Sequence, residues 1–156
     1  MSFLAENFLD AWINFSTVLK NNRYMINMSF NEGLICHILY KEKNLNGNIL
    51  GLPIKDICSK TNMLKSQVNK VINGMERKNI ILKNKINEDR RLVFISLSEN
   101  GLKVYQKEYR IVLEHIKRLV NVLGKEKAKS AINIFYEITR DVELLNGGKY
   151  EHKNTN

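Results

Sequence analysis

The chain has 156 residues, with 25 Lys and Arg against 16 Asp and Glu, and a formal net charge of +9. That length suits one domain, with or without an appended arm, able to bury about two-thirds of its unfolded surface. A hydrophobic fraction of 44% and a charged fraction of 26% argue against wholesale disorder, and no apolar run approaches the ~18 residues of a membrane span.

Met1 to Phe15 are apolar enough to suggest a signal peptide, but Glu6 and Asp10 interrupt them and no basic flank or small-residue cleavage site is present, so the expected location is cytoplasmic. Within this stretch Leu4, Phe8, Trp12, Phe15 and Leu19 fall at steps of three and four, the stripe of an amphipathic helix ending near Asn21. After a polar break, Ser29 can cap a second helix carrying Leu34, Ile35, Ile38 and Leu39. Asn44 to Gly51, with two glycines and three asparagines, reads as a loop. A short third helix follows Pro53, and a fourth runs from about Leu64 to Lys78.

Ile80 to Ile86 and Leu92 to Leu97 are rich in branched apolar residues and flank Asn87-Glu88-Asp89-Arg90-Arg91, which predicts a β-hairpin with a charged tip. Ser98 is a good N-cap for a long helix carrying Leu102, Tyr105, Tyr109, Val112, Ile116, Leu119 and Leu123, which Gly124 ends. A last helix carries Ala128, Ala131, Phe135, Ile138, Val142 and Leu145, stops at Gly147-Gly148 and leaves a polar tail. The terminal helices are too long and too apolar to stay unpartnered, and helices from a second copy would cover them.

The charge is local. Between Lys60 and Arg91 nine cations face three acids, so this fifth of the chain holds +6 of the +9. Ile54, Ile57 and Cys58, then Val68, Val71, Ile72 and Met75, give the inner faces of two helices packed across the turn Thr61-Asn62-Met63, where asparagine tolerates the left-handed conformation. The outward set of the second helix is then Lys65, Ser66, Gln67, Asn69, Lys70 and Asn73. Amides and hydroxyls of this kind read base edges in a major groove while lysines hold phosphates. Lys83 and Lys85 extend the basic surface onto the hairpin, and Arg90 and Arg91 at its tip suit a narrow minor groove. A membrane-binding face would interleave large apolar residues instead of amides.

Across Leu52 to Ile81, LPIKDICSKTNMLKSQVNKVINGMERKNII, and through KNKINEDRRLVFISLSENG, the chain resembles the MarR family of winged helix-turn-helix transcription regulators. The second segment contains a match to the family's Asp-Arg-Arg wing signature at Asp89, Arg90 and Arg91, and to its Leu-Ser/Thr-x-x-Gly ending at Leu97 to Gly101. The resemblance implies a mainly α fold with a small β-hairpin wing. Residues 1–28 would be an N-terminal dimerisation helix and connector, 29–101 the winged helix-turn-helix domain, 102–147 the C-terminal dimerisation helices and 148–156 a polar tail. It implies a homodimer on double-stranded, pseudo-palindromic DNA, with Arg91 as the minor-groove arginine and Asp89 as the acid that orients the wing arginines. Asn62 and Asn79 stand where the family commonly has glycine, and Leu64 where a Ser N-cap is usual.

The expected function is a sequence-specific DNA-binding regulator, a repressor relieved by an unknown signal; the alternative is a winged-helix protein-interaction module. No cofactor is expected, and no Ser/His/Asp set, paired carboxylates or glycine-rich phosphate loop supports an enzyme. The family's signals include small ligands, thiol oxidation and zinc. Cys58 reads as a core thiol and Cys36 lies mid-helix without an activating cation. Cys36, His37 and His115 have no zinc-ligand spacing. Trp12, Tyr24 and Tyr40 could line an effector pocket by analogy with the family, although core packing is the simpler explanation of these rings.

Overall fold

In a computed structural model, residues 2–21, 25–86 and 89–146 are described, apart from the side chains of residues 2, 20, 21, 86, 89–91 and 146. Tyr24, the hairpin residues Asn87 and Glu88, the stop at Gly147-Gly148 and the polar tail therefore lie outside the described residues.

The elements in chain order are α1 (Ser2–Asn21), α2 (Phe30–Asn46), β1 (Leu52–Pro53), α3 (Ile54–Thr61), α4 (Lys65–Arg77), β2 (Ile81–Ile86), β3 (Asp89–Leu97), α5 (Glu99–Leu123) and α6 (Lys125–Asn146). The fold is mainly helical with a three-stranded antiparallel sheet in the order β1-β3-β2. The chain forms two compact units, Met1–Val112 and Leu113–Asn156.

In the first unit α2 starts with a reciprocal cap. Glu32 N donates to Ser29 Oγ (3.3 Å) and Ser29 N to Glu32 Oε2 (2.9 Å), satisfying two of the donors that a helix start leaves unpaired. The helix runs to Asn46, three residues into the stretch expected to be loop. Asn44 Nδ2 donates back to Tyr40 O and Asn46 Nδ2 to Glu42 Oε2, and Gly47 at φ 66° closes the end in the left-handed conformation. Local side-chain bonds thus outweigh the weak helix preference of asparagine.

The sheet has one strand more than the sequence patterning predicts. β1 is two residues long and contains proline, too short to show alternation, and is recognisable only by its pairing, Leu52 opposite Ile95 and Pro53 opposite Phe94. Gly51 leads into it at φ 92°, where a Cβ would strike the backbone of Ile95. Reciprocal bonds between Asn48 and Gly51 shape the approach.

Between the helices and the sheet lies the core, in which Ile35, Ile57, Val68, Ile72, Met75 and Ile95 are essentially inaccessible. The buried carboxylate of Glu108 on α5 ties down the segment before α2, accepting from Ile26 N (2.8 Å), Asn27 N (3.1 Å) and Asn27 Nδ2 (2.6 Å). That is the bonding a buried carboxylate requires. At the start of α5, Ser98 N donates to Ile80 O (3.0 Å) and Ser98 Oγ accepts from Gly101 N (2.8 Å), which makes Ser98 the N-cap.

In the second unit Gly124, at φ 80°, ends α5, and Ala128 is buried one turn into α6. Ile116, Leu119 and Leu123 on α5, with Ile132, Val142 and Leu145 on α6, remain substantially exposed. On α1, Leu4, Phe8 and Trp12 are exposed by half or more. Among the described residues no helix is long and apolar enough to cross a membrane.

Candidate nucleic-acid interface

The basic segment folds as a helix, a tight turn, a second helix and a hairpin. α3 ends where Thr61 Oγ1 donates to Ile57 O (2.7 Å), and Asn62 takes φ 55° to reverse the chain. Asparagine in place of the commoner glycine is thus accommodated in the left-handed region it tolerates best. Asn79 does the same after α4, at φ 54°, and Ile80 N returns to Met75 O (2.9 Å).

Leu64 has no cap oxygen of its own, so the start of α4 borrows one: Leu64 N donates to Gln67 Oε1 (3.0 Å). Gln67 keeps its amide donors but has committed its acceptor to the helix. Val68, Ile72 and Met75 face inward and are buried, while Lys65, Ser66, Gln67, Lys70 and Asn73 are exposed and Asn69 is half-buried. No acid among the described side chains pairs with Lys65 or Lys70.

Other cations of this segment are spent inside the molecule. Lys60 Nζ lies 3.1 Å from Glu42 Oε1, and Lys78 Nζ 2.6 Å from Glu32 Oε1 at the start of α2. Lys83 Nζ sits 2.6 Å from Glu76 Oε2 and also donates to Asn73 Oδ1 at 3.0 Å. Two of the residues expected to face DNA, Asn73 and Lys83, therefore bond each other directly, and Glu76 pairs with the same ammonium. The i, i+3 spacing of Asn73 and Glu76 was the available signal, since it puts both on one helical face.

Register along the hairpin pairs Ile81 with Leu97, Lys83 with Ile95 and Lys85 with Val93, then slips between Lys85 and Ile86 so that Ile86 opposes Asp89. Such an irregularity bends and twists the strand pair locally. Asp89, Arg90 and Arg91, assigned by pattern to the tip, begin β3. Lys85 is exposed. Asn84 Nδ2 donates to Ser96 Oγ (2.8 Å) and Leu50 O (3.1 Å), fastening the hairpin to the segment before β1.

The residues weighed as sensors sit in a different environment. Cys36 is buried, and that burial, with Glu32 nearby, pushes its thiol up to about 12. Burial also raises the half-buried Cys58 thiol. His37 Nδ1 shares a 2.6 Å hydrogen bond with Tyr105 OH. Burial and then Lys41 lower the His37 pKa, while burial, with the neighbouring Tyr109, raises that of Tyr105. Tyr40 packs tilted on Tyr105 at 5.1 Å as part of the core margin, whereas Trp12 stands half exposed on α1. Among the described residues no group of three or more His, Cys, Asp or Glu could hold a metal ion.

No protein-family model matches the chain, and no curated protein matches it in sequence. Solved structures do. The PcaV transcriptional regulator from Streptomyces coelicolor, in complex with its natural ligand, superposes with a TM-score of 0.68 at 14% identity, covering 86% of this chain and 92% of that one. MepR of S. aureus in complex with DNA gives 0.63 at 21% identity, covering 74% and 80%. The transcriptional repressor CouR, bound to a 23-mer DNA duplex, gives 0.63 at 16%, covering 72% and 75%. The chain has the winged helix-turn-helix fold of these regulators.

Proposed function

We propose that the chain is a MarR-type regulator that binds double-stranded DNA as a homodimer and represses until a signal releases it. The observation that carries the reading is the outer face of α4. It offers Lys65, Ser66, Gln67 and Lys70 to solvent, with Asn69 half-exposed between them, beside a basic hairpin, in the fold that MepR and CouR present to DNA. In this reading α4 enters a major groove, where its amides and hydroxyl meet base edges and its lysines meet phosphates. Lys85, Arg90 and Arg91 follow the backbone and the neighbouring minor groove, with Asp89 orienting the arginines. The exposed apolar residues of α1, of α5 and of α6 are what a second copy covers, since exposed apolar residues in such numbers mark interaction sites. The role is one of binding, with no catalytic step. A bound ligand is the class of signal that the PcaV complex supports.

Binding to the duplex upstream of the protein's own gene, measured by gel shift against random duplex, tests the reading. Affinity should fall steeply with salt as phosphate contacts release counterions, and the footprint should cover two half-sites roughly 34 Å apart. Arg91→Ala should weaken operator binding while sedimentation still reports a dimer. Equal affinity for operator and random duplex would refute a specific regulator.

A further inference from the structure

We infer that Lys83 is a positioning residue that locks the wing to the recognition helix, rather than a phosphate contact. The inference rests on the reading of α4 and the hairpin as the DNA-binding surface. Lys83 Nζ is 2.6 Å from Glu76 Oε2 and 3.0 Å from Asn73 Oδ1, so two of its three donors are committed within the chain. The Lys83 side chain is 28% exposed and that of Glu76 47%. A phosphate approaching Lys83 would meet the Glu76 carboxylate beside it, and like charges at that spacing repel.

The geometry is that of a bracket. Asn73 and Glu76 lie one turn apart on α4 and present one acceptor each to the third residue of β2. Successive residues of a strand point to opposite faces, so Asn84 leaves the other side of β2, and there it holds Ser96 and the carbonyl of Leu50. The root of the wing is thereby gripped from both faces, by α4 on one and by the segment before β1 on the other. The angle between wing and α4 is set before DNA arrives, so the strand that bears Arg90 and Arg91 is held against α4 without an ordering cost at binding.

Glu76→Ala separates the two roles by the sign of its effect. If Lys83 contacts phosphate, removing the acid beside it strengthens binding to any duplex. If the bracket positions the wing, Glu76→Ala weakens operator binding about two- to fivefold, the range of a part-exposed ion pair, despite removing a negative charge, and leaves random-duplex affinity equal or higher. Lys83→Met should reduce operator preference to a similar extent, and the double variant should be no weaker than either single one, because both break the same link. Fluorescence anisotropy at two salt concentrations reads these values. Tighter operator binding by Glu76→Ala, or an equal loss on operator and random duplex by Lys83→Met with a salt slope smaller by ~0.9 per subunit, overturns the inference. Amide hydrogen exchange without DNA keeps the two readings apart. With the bracket cut, β2 and β3 amides should exchange faster while α4 and the global melting temperature hold. Unchanged wing exchange refutes the bracket, whereas a wild-type protein without operator preference refutes the DNA reading alone.

Discussion

Gly101→Ala tests the joint between the winged module and α5. The glycine is buried in the first turn of α5, and a Cβ there would collide with the carbonyl oxygen of Ile80, lying 2.7 Å from the carbonyl carbon and 3.0 Å from Cα. These are backbone atoms and cannot rotate aside. Either the helix start or the entry to β2 must move, and the bonds from Ser98 N to Ile80 O and from Gly101 N to Ser98 Oγ stretch with it. Overpacking costs about 1–3 kcal/mol and each weakened hydrogen bond about 1 kcal/mol, against a helix-propensity gain of about 1 kcal/mol. The net expectation is a loss of about 2–4 kcal/mol, roughly 4–16 °C in melting temperature for a chain of this size. Gly74→Ala is the matched control. It lies inside α4, where the nearest atom to the new methyl is Arg77 Nη2 at 4.0 Å, so it should stabilise by about 0.5–1 kcal/mol. Circular dichroism melts and urea titrations of both variants measure this. If Gly101→Ala is neutral or stabilising, as an unobstructed helical glycine would be, the close approach to Ile80 is wrong.

Burial alone would raise the pKa of Glu32, but the hydrogen bonds from Lys78 and from Ser29 N outweigh it and hold the carboxyl below its usual value of 4.5. The folded form is the one with the lowered pKa, so this stabilisation is complete above about pH 4.5 and is lost as the pH falls through the depressed value. Glu32→Gln should cost about 1 kcal/mol at neutral pH and flatten the acid limb of stability against pH; an unchanged acid limb would remove Glu32 from acid sensitivity. Cys36, with its thiol near 12, should resist iodoacetamide at pH 8 in the native protein and react once the chain is unfolded in urea. Rapid native labelling would contradict its burial.

Much of the helix-turn-helix was legible because its determinants are local. The cap at Ser29, the left-handed asparagines at 62 and 79, the glycine that ends α5 and the spacing of Val68, Ile72 and Met75 each act within a turn or two of chain. The extension of α2 to Asn46 was hidden because asparagine is a poor helix former in general and only its bonds to Tyr40 O and Glu42 make it a good one here. β1 was hidden because two residues carry no period, and their strand character comes from Ile95, far along the chain.

Sequence alone determined the order of the helices and the hairpin, the faces of α3 and α4 and the concentration of charge between Lys60 and Arg91, since periodicity, capping and composition are properties of neighbouring residues. Tertiary structure decided which of those charges are available. Lys60, Lys78 and Lys83 meet Glu42, Glu32 and Glu76 across the fold, while no acid among the described side chains pairs with Lys65 or Lys70 on α4. A formal charge is additive along the chain, but the field offered to a partner depends on which opposite charges folding brings within about 3 Å.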